Sequence, residues 1–332
     1  MNSLLQVEDL RVTIPAGAAR LTPVRGLSFE LEKGETLCIV GESGCGKSLS
    51  SLALMGLLPK SAERQAERLH FDGIDLSRLN ERQMADLRGN RMSMIFQEPM
   101  TSLNPVYTIG DQLAEPLIRH RRASRREARD HAVDLLEKVG ITAAGRRMAQ
   151  YPHQLSGGLR QRVMIAMSLM CSPELVIADE PTTALDVTIQ AKILRQLKQL
   201  QNELGMAMIF ITHDLGVVAR IADKIAVMYA GRFVETGTAR QLFSRPMHPY
   251  TKGLLSCLPV PGKTAPGEPL GSIPGVVPAL IGESTSCGFS SRCPYAAPLC
   301  EREPDLTERG SNHACRCVLA SAELDDLRWE AA

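Results

Sequence analysis

The sequence predicts an α/β fold built on a largely parallel sheet. Two observations carry this expectation. Short apolar runs of strand length alternate with amphipathic helical stretches along most of the chain, as in strands joined by crossover helices. A glycine-rich turn also follows one of these runs directly, between Val40 and Ser48. That is the junction at which α/β proteins bind phosphate.

The elements follow in order. Residues 4–14 alternate in polarity and read as a strand, as do residues 24–31 (VRGLSFEL). Lys33-Gly34-Glu35 is a turn, and Thr36–Val40 (TLCIV) is a buried strand. Residues 48–58 read as a helix ended by Pro59. Residues 91–96 form a strand. Residues 125–139 are helical, with Ala128, Ala132, Leu135, Leu136 and Val139 on one face and Gly140 as C-cap. Residues 157–170 form a second helix and residues 175–178 a strand. Val187–Leu204 is amphipathic, with Ile189, Ile193, Leu194, Leu197, Leu200 and Leu204 in phase. Residues 208–211 and 225–229 are strands. After about Thr238 the composition changes. Of the 26 residues from 257 to 282, eleven are Pro or Gly, which excludes regular helix and central strand. This stretch reads as a linker to a cysteine cluster.

Composition narrows the function. The 332 residues allow two domains, or one large domain with an appendage. Apolar residues make up 44% and the formal net charge is +1, a balance that argues against a general nucleic-acid binder. No apolar run reaches the ~18 residues of a membrane span. The start, MNSLLQVEDLRV, lacks the pattern of a signal peptide. The chain is expected to be cytoplasmic, reaching any membrane through a partner.

Gly41-Glu42-Ser43-Gly44-Cys45-Gly46-Lys47-Ser48 fits G-x-x-x-x-G-K-[ST] at every fixed position. Glycines let the backbone turn its N–H groups towards a phosphate. The helix that follows, with Leu49 in its first turn, points its positive end at the same anion. Lys47 is expected on the β- and γ-phosphates, and Ser48 on Mg²⁺. Leu175-Val176-Ile177-Ala178-Asp179-Glu180 is an apolar strand ending in two acids. Alone, such an ending also fits solubility or helix capping. Coupled to the phosphate loop, Asp179 reads as an Mg²⁺ ligand and Glu180 as the base that polarises the attacking water.

Leu155-Ser156-Gly157-Gly158-Leu159-Arg160-Gln161 resembles the LSGGQ signature of ABC ATPases, 19 residues before the Asp179 strand begins. Gln97 is similar to that family's Q-loop glutamine, Ala184-Leu185-Asp186 to its D-loop and His213 to its switch histidine. The resemblance implies a P-loop NTPase cassette with a RecA-like core, an N-terminal antiparallel β region and a helical signature subdomain (about 98–172). It implies ATP and Mg²⁺ as ligands, with Gln97 near the Mg²⁺. Ser156, Gly157, Gly158 and Gln161 would serve a nucleotide held mainly by a second ATPase subunit. The family's adenine-stacking aromatic is missing, because residues 12–24 contain none.

The segment 97–105 (QEPMTSLNP) and His248-Pro249-Tyr250-Thr251 resemble the dipeptide/oligopeptide/nickel importer ATPases. That branch implies a cassette over 1–240 and an extension over 241–332. It also implies two transmembrane permease subunits, an extracytoplasmic solute-binding protein, and work at the cytoplasmic face of the inner membrane. Residues 97–119 would lie near a groove for a membrane-subunit helix. The run Arg119, Arg121, Arg122, Arg125, Arg126 and Arg129 reads first as a solvated helix face, and second as a contact for anionic lipid or an acidic partner. The competing class is a soluble ABC ATPase acting on ribosomes or DNA. Such proteins often carry two cassettes, and this chain has one.

Of the nine cysteines, Cys38, Cys45, Cys171 and Cys257 are scattered, and five fall within the 31 residues 287–317. Reduced cytosol makes such a cluster suggest metal. The spacing Cys287-x5-Cys293-x6-Cys300, then Cys315 and Cys317, leaves zinc, iron–sulfur and free thiols all open. The family resemblance implies a 4Fe–4S cluster on Cys287, Cys293, Cys300 and Cys317, with Cys315 the alternative fourth ligand.

Overall fold

Strand placement follows the apolar runs, and the chain folds into two compact units. The computed structural model describes residues 3–17, 19–182, 187–258, 271–278, 281–282, 285–319 and 323. The expected D-loop, residues 184–186, lies outside them.

The first unit comprises Met1–Leu5, Leu31–Thr36 and His70–Ile211. Its centre is three parallel strands, Met92–Ile95, Leu175–Asp179 and Ala207–Thr212. Their residues are almost completely buried, which explains runs that are apolar throughout rather than alternating. Helices surround them. In Arg125–Lys138, Ala128, Ala132, Leu135 and Leu136 are buried, at the three-to-four spacing of one helix face. Its start is fixed by a reciprocal capping box between Ser124 and Glu127. Gly140 follows the cap residue Val139 and takes φ 80°. In Val187–Leu204, Ile193, Leu194, Leu197 and Leu200 are buried. Gln201 of this helix donates to the Gly34 carbonyl at 3.0 Å and accepts from Thr36 Oγ1 at 3.1 Å.

The helix Ile109–Arg121 went unread in the sequence. Thr108 caps it, and its last turn carries Arg119, His120 and Arg121. The arginine run therefore does not line one helix. Arg119 and Arg121 end this helix, where cations favour the dipole, and Arg122 adopts φ 55° as its cap. Arg125, Arg126 and Arg129 belong to the next helix.

The second unit comprises Gln6–Glu30, Leu37–Leu69 and Thr212–Ala332. Its long strands Leu5–Ala16 and Ala19–Leu31 are neighbours, and Glu63–Gln65 pairs antiparallel with the former. Thr36–Val40 lies parallel to Lys224–Tyr229, with Val40 opposite Val227. The sheet then turns antiparallel through Arg232–Thr238, His313–Cys315 and Thr307–Gly310. One cysteine of the cluster, Cys315, is thus part of this sheet. The helix after the glycine turn is Lys47–Met55, shorter than expected. Gly56, at φ 63°, ends it by returning its N–H to the Ala53 carbonyl, before Pro59 acts.

Candidate active site

The phosphate loop leaves the sheet at Val40. At Gly41 a Cβ would lie 2.2 Å from the Met228 carbonyl oxygen, and at Gly46 2.1 Å from that of Pro23. Both approaches need glycine. Gly46 is also held at φ 108° as the residue before the helix. Lys47 is buried, and its Nζ donates to the Gly41 and Glu42 carbonyls at 2.8 and 2.9 Å. The ammonium thus sits inside the loop's curve. Ser43 and Gly44 are exposed, Ser48 and Leu49 half-buried. Cys45 is buried, and burial raises its thiol pKa against the lowering influence of Lys47. Glu42 has two further partners. Its N–H donates to Tyr250 Oη at 2.9 Å, and its carboxylate pairs with Arg292 at 2.6 Å.

In the first unit, parallel register delivers the acids. Ile95 stands opposite Ala178, and Asp179 opposite Ile211. Gln97 and Glu180 lie two residues beyond the first pair and meet. Gln97 Nε2 donates to Glu180 Oε2 at 3.2 Å. Asp179 is 4% exposed. Glu180 has φ 45°, a left-handed backbone unusual for a side-chain-bearing residue. The Ile211 carbonyl holds it there by accepting its N–H at 2.9 Å. Strain of this kind persists where surroundings enforce it, often at functional sites.

Also in this unit, Ser156 precedes the helix Gly157–Leu169 with extended backbone, but its hydroxyl makes no cap bond. Ser156 and Gly157 are exposed, and a Cβ on Gly157 would meet nothing within 4 Å. Gly158 is half-buried. Gln161 departs from them. It is 1% exposed, and its Nε2 donates to the Pro181 carbonyl. It is therefore turned inward, onto the backbone just past Glu180. In the second unit, His213 is exposed at the end of its strand, and the next residue, Asp214, caps the helix Leu215–Ile221.

Residues 24–183 match the ABC transporter family, and residues 234–300 match the oligopeptide/dipeptide transporter C-terminal region. The dipeptide transport ATP-binding protein DppD of Bacillus subtilis (strain 168) is 50% identical over 321 residues, 96% of this chain and 95% of that protein. The oligopeptide transport ATP-binding protein OppD of Escherichia coli (strain K12) is 50% identical over 323 residues, 97% and 95% of the two chains. This chain belongs to the ABC transporter family, in its oligopeptide/dipeptide branch. It is an ABC ATPase. A solved dimer of the ATP-binding cassette MJ0796, in a post-hydrolysis state with ADP and Pi, superposes with TM-score 0.64 at 27% identity. It covers 71% of this chain and 99% of that one. These relatives give no support to the soluble alternative.

The branch's C-terminal region is where sequence reasoning saw least. Tyr229, Tyr250, Phe289 and His248 form an aromatic cluster with ring centroids 4.6–5.9 Å apart. Burial lowers the His248 pKa to about 4, so its Nδ1 accepts the Tyr250 N–H, at 3.1 Å. Glu235, fully buried, accepts from the Met247 and His248 amides and contacts His313, each at 2.8 Å. Cys287, Cys293, Cys300 and Cys317 line one cavity with Phe289 and Tyr295. Cys315 packs against Met247 instead. Among the described residues, no group of three or more His, Cys, Asp or Glu side chains is placed to hold a metal ion. Nothing in the spacing of Tyr250 and Arg292 signalled their contact with the loop. The only available signal was an arginine beside a cysteine in a segment with little core.

Proposed function

We propose that this chain energises import of peptides or a related small solute (dipeptide, oligopeptide, nickel, opine or glutathione) through a membrane ABC transporter. The carrying observation is the loop 41–48, with its ammonium enclosed by the strand-to-helix turn. Gly41–Leu49 cradle the triphosphate, and Lys47 exchanges its two loop carbonyls for phosphate oxygens. Glu180 polarises the attacking water, and Gln97 orients its carboxylate. His213 contacts the reacting phosphate. Ser48, Gln97 and Asp179 would supply the oxygen donors that Mg²⁺ favours, and the ion would neutralise phosphate charge. Ser156, Gly157 and Gly158 serve the nucleotide of a second ATPase subunit, identical or homologous. Gln161 supports the residues after Glu180 from within.

The cassette occupies 1–240 and the extension 241–332. Two permease subunits dock near residues 97–119, where Met100, Val106 and Tyr107 are 64%, 72% and 56% exposed. Apolar side chains so open to water favour a partner surface. No helix among the described residues is long and apolar enough to cross a membrane. We read the site of work as the cytoplasmic face of the inner membrane, reached through these partners. A solute-binding protein completes the system. Solute uptake by cells lacking the gene, complemented with unaltered chain or Lys47→Ala, tests the reading. Rescue by the inactive variant refutes it.

The extension is read as carrying a 4Fe–4S cluster on Cys287, Cys293, Cys300 and Cys317. These four cysteines line one cavity, and their thiolates are the donor set that would hold the cluster. The cluster would supply a cross-link for a segment poor in core. Anaerobically purified chain should be brown, with about four irons per chain. Colourless zinc-bearing protein refutes the cluster.

A further inference from the structure

We infer that Arg292 and Tyr250, both from the C-terminal extension, are positioning residues of the phosphate loop, acting through Glu42. This rests on the reading of residues 41–48 as the ATP site. Arg292 is 3% exposed at its side chain and spends all five of its N–H donors. Nη1 donates to Glu42 Oε2 at 2.6 Å and to Tyr229 Oη at 3.3 Å. Nη2 donates to Glu42 Oε1 at 3.0 Å and to the Ile273 carbonyl at 3.0 Å. Nε donates to the Pro274 carbonyl at 2.7 Å. The guanidinium also lies over the rings of Tyr229 and Phe289, at 5.7 and 6.0 Å. The Glu42 carboxylate raises the arginine's pKa further, so the charge is permanent.

The fork grips both oxygens of Glu42, while Tyr250 takes the same residue's N–H. Glu42 is therefore fixed at backbone and side chain together. It is the second residue of the loop, so its orientation sets where the following amides point. Its carbonyl is also one of the two that hold Lys47. A lysine at 292 would keep the charge and lose the two-pronged grip.

The test is MgATP binding to the full chain, read with a fluorescent ATP analogue, together with turnover in the assembled transporter. Arg292→Lys should weaken binding about tenfold, the size of a lost charge-assisted hydrogen bond. The loss should appear in KM rather than kcat. Tyr250→Phe should weaken binding several-fold in the same manner, and decides the matter if Arg292→Lys fails to fold. Glu42→Gln combined with Arg292→Lys should be no worse than Arg292→Lys alone. Arg316→Lys is the control. Arg316 holds the extension through the Phe233 and Pro304 carbonyls without touching the loop, and its variant should bind normally. Wild-type affinity in folded Arg292→Lys and Tyr250→Phe overturns the inference. So does equal weakening by Arg316→Lys, since that is a general structural effect. If Lys47→Ala binds as the unaltered chain does, the ATP-site reading fails too.

Discussion

The phosphate loop and the start of the signature helix are both helix N-termini with glycine, and they are finished in opposite ways. At the loop, Lys47 is buried on two carbonyls, and Glu42 is gripped by Arg292 and Tyr250. At the signature helix, Ser156 and Gly157 are exposed, and the serine hydroxyl leaves its own helix uncapped. On the proposed reading, one anion site is completed within the chain. The other presents donors outward, at the cost of a cap worth about 1 kcal/mol. A site that serves a nucleotide on another subunit needs that second arrangement.

The largest break in this comparison should come from Lys47→Ala. It removes the enclosed charge, and ATPase activity should fall by more than about a hundredfold with nucleotide binding lost. Glu180→Gln should lower turnover by roughly 10²-fold or more while binding survives, and sedimentation should find a closed ATP-bound dimer. Unchanged turnover would remove Glu180 from its role. Gly157→Glu has room for its side chain, so thermal stability should hold. The new carboxylate opposes an anion at that helix end. ATP-driven dimerisation should therefore weaken about tenfold, while each chain still binds nucleotide. The smallest effect sharpens the contrast most. Ser124→Ala breaks a capping box and should cost about 1 kcal/mol in urea unfolding. Ser156→Ala should cost less than about 0.5 kcal/mol and act on turnover instead.

What could be read in advance follows the same division. Contiguous motifs were legible because their physics is local. Eight consecutive residues carry the loop, and an apolar strand announces Asp179 and Glu180. The Gln97–Glu180 hydrogen bond was not legible, since it depends on two strands 83 residues apart becoming parallel neighbours in register. The burial of Gln161 was not legible either, because it sits in the signature but on the inward side of its helix. The end of the helix at Gly56 was missed because Pro59 offered a louder signal than a glycine already able to stop it. The helix Ile109–Arg121 was hidden by its own charges, which gather in the last turn and resemble a surface run. Tyr250 and Arg292 carry no periodicity linking them to Glu42.

That last separation has a consequence for how the protein is made. The Arg292–Glu42 pair spans 250 residues of sequence, and contacts this distant form late, after much loop entropy has been lost. A chain emerging from the ribosome completes its first strands and its glycine turn long before residue 292 exists. Until the extension folds back, the turn lacks the grip that fixes Glu42. Residue 292, made long after the turn, would thus be what completes the cradle that the proposed ATP site offers.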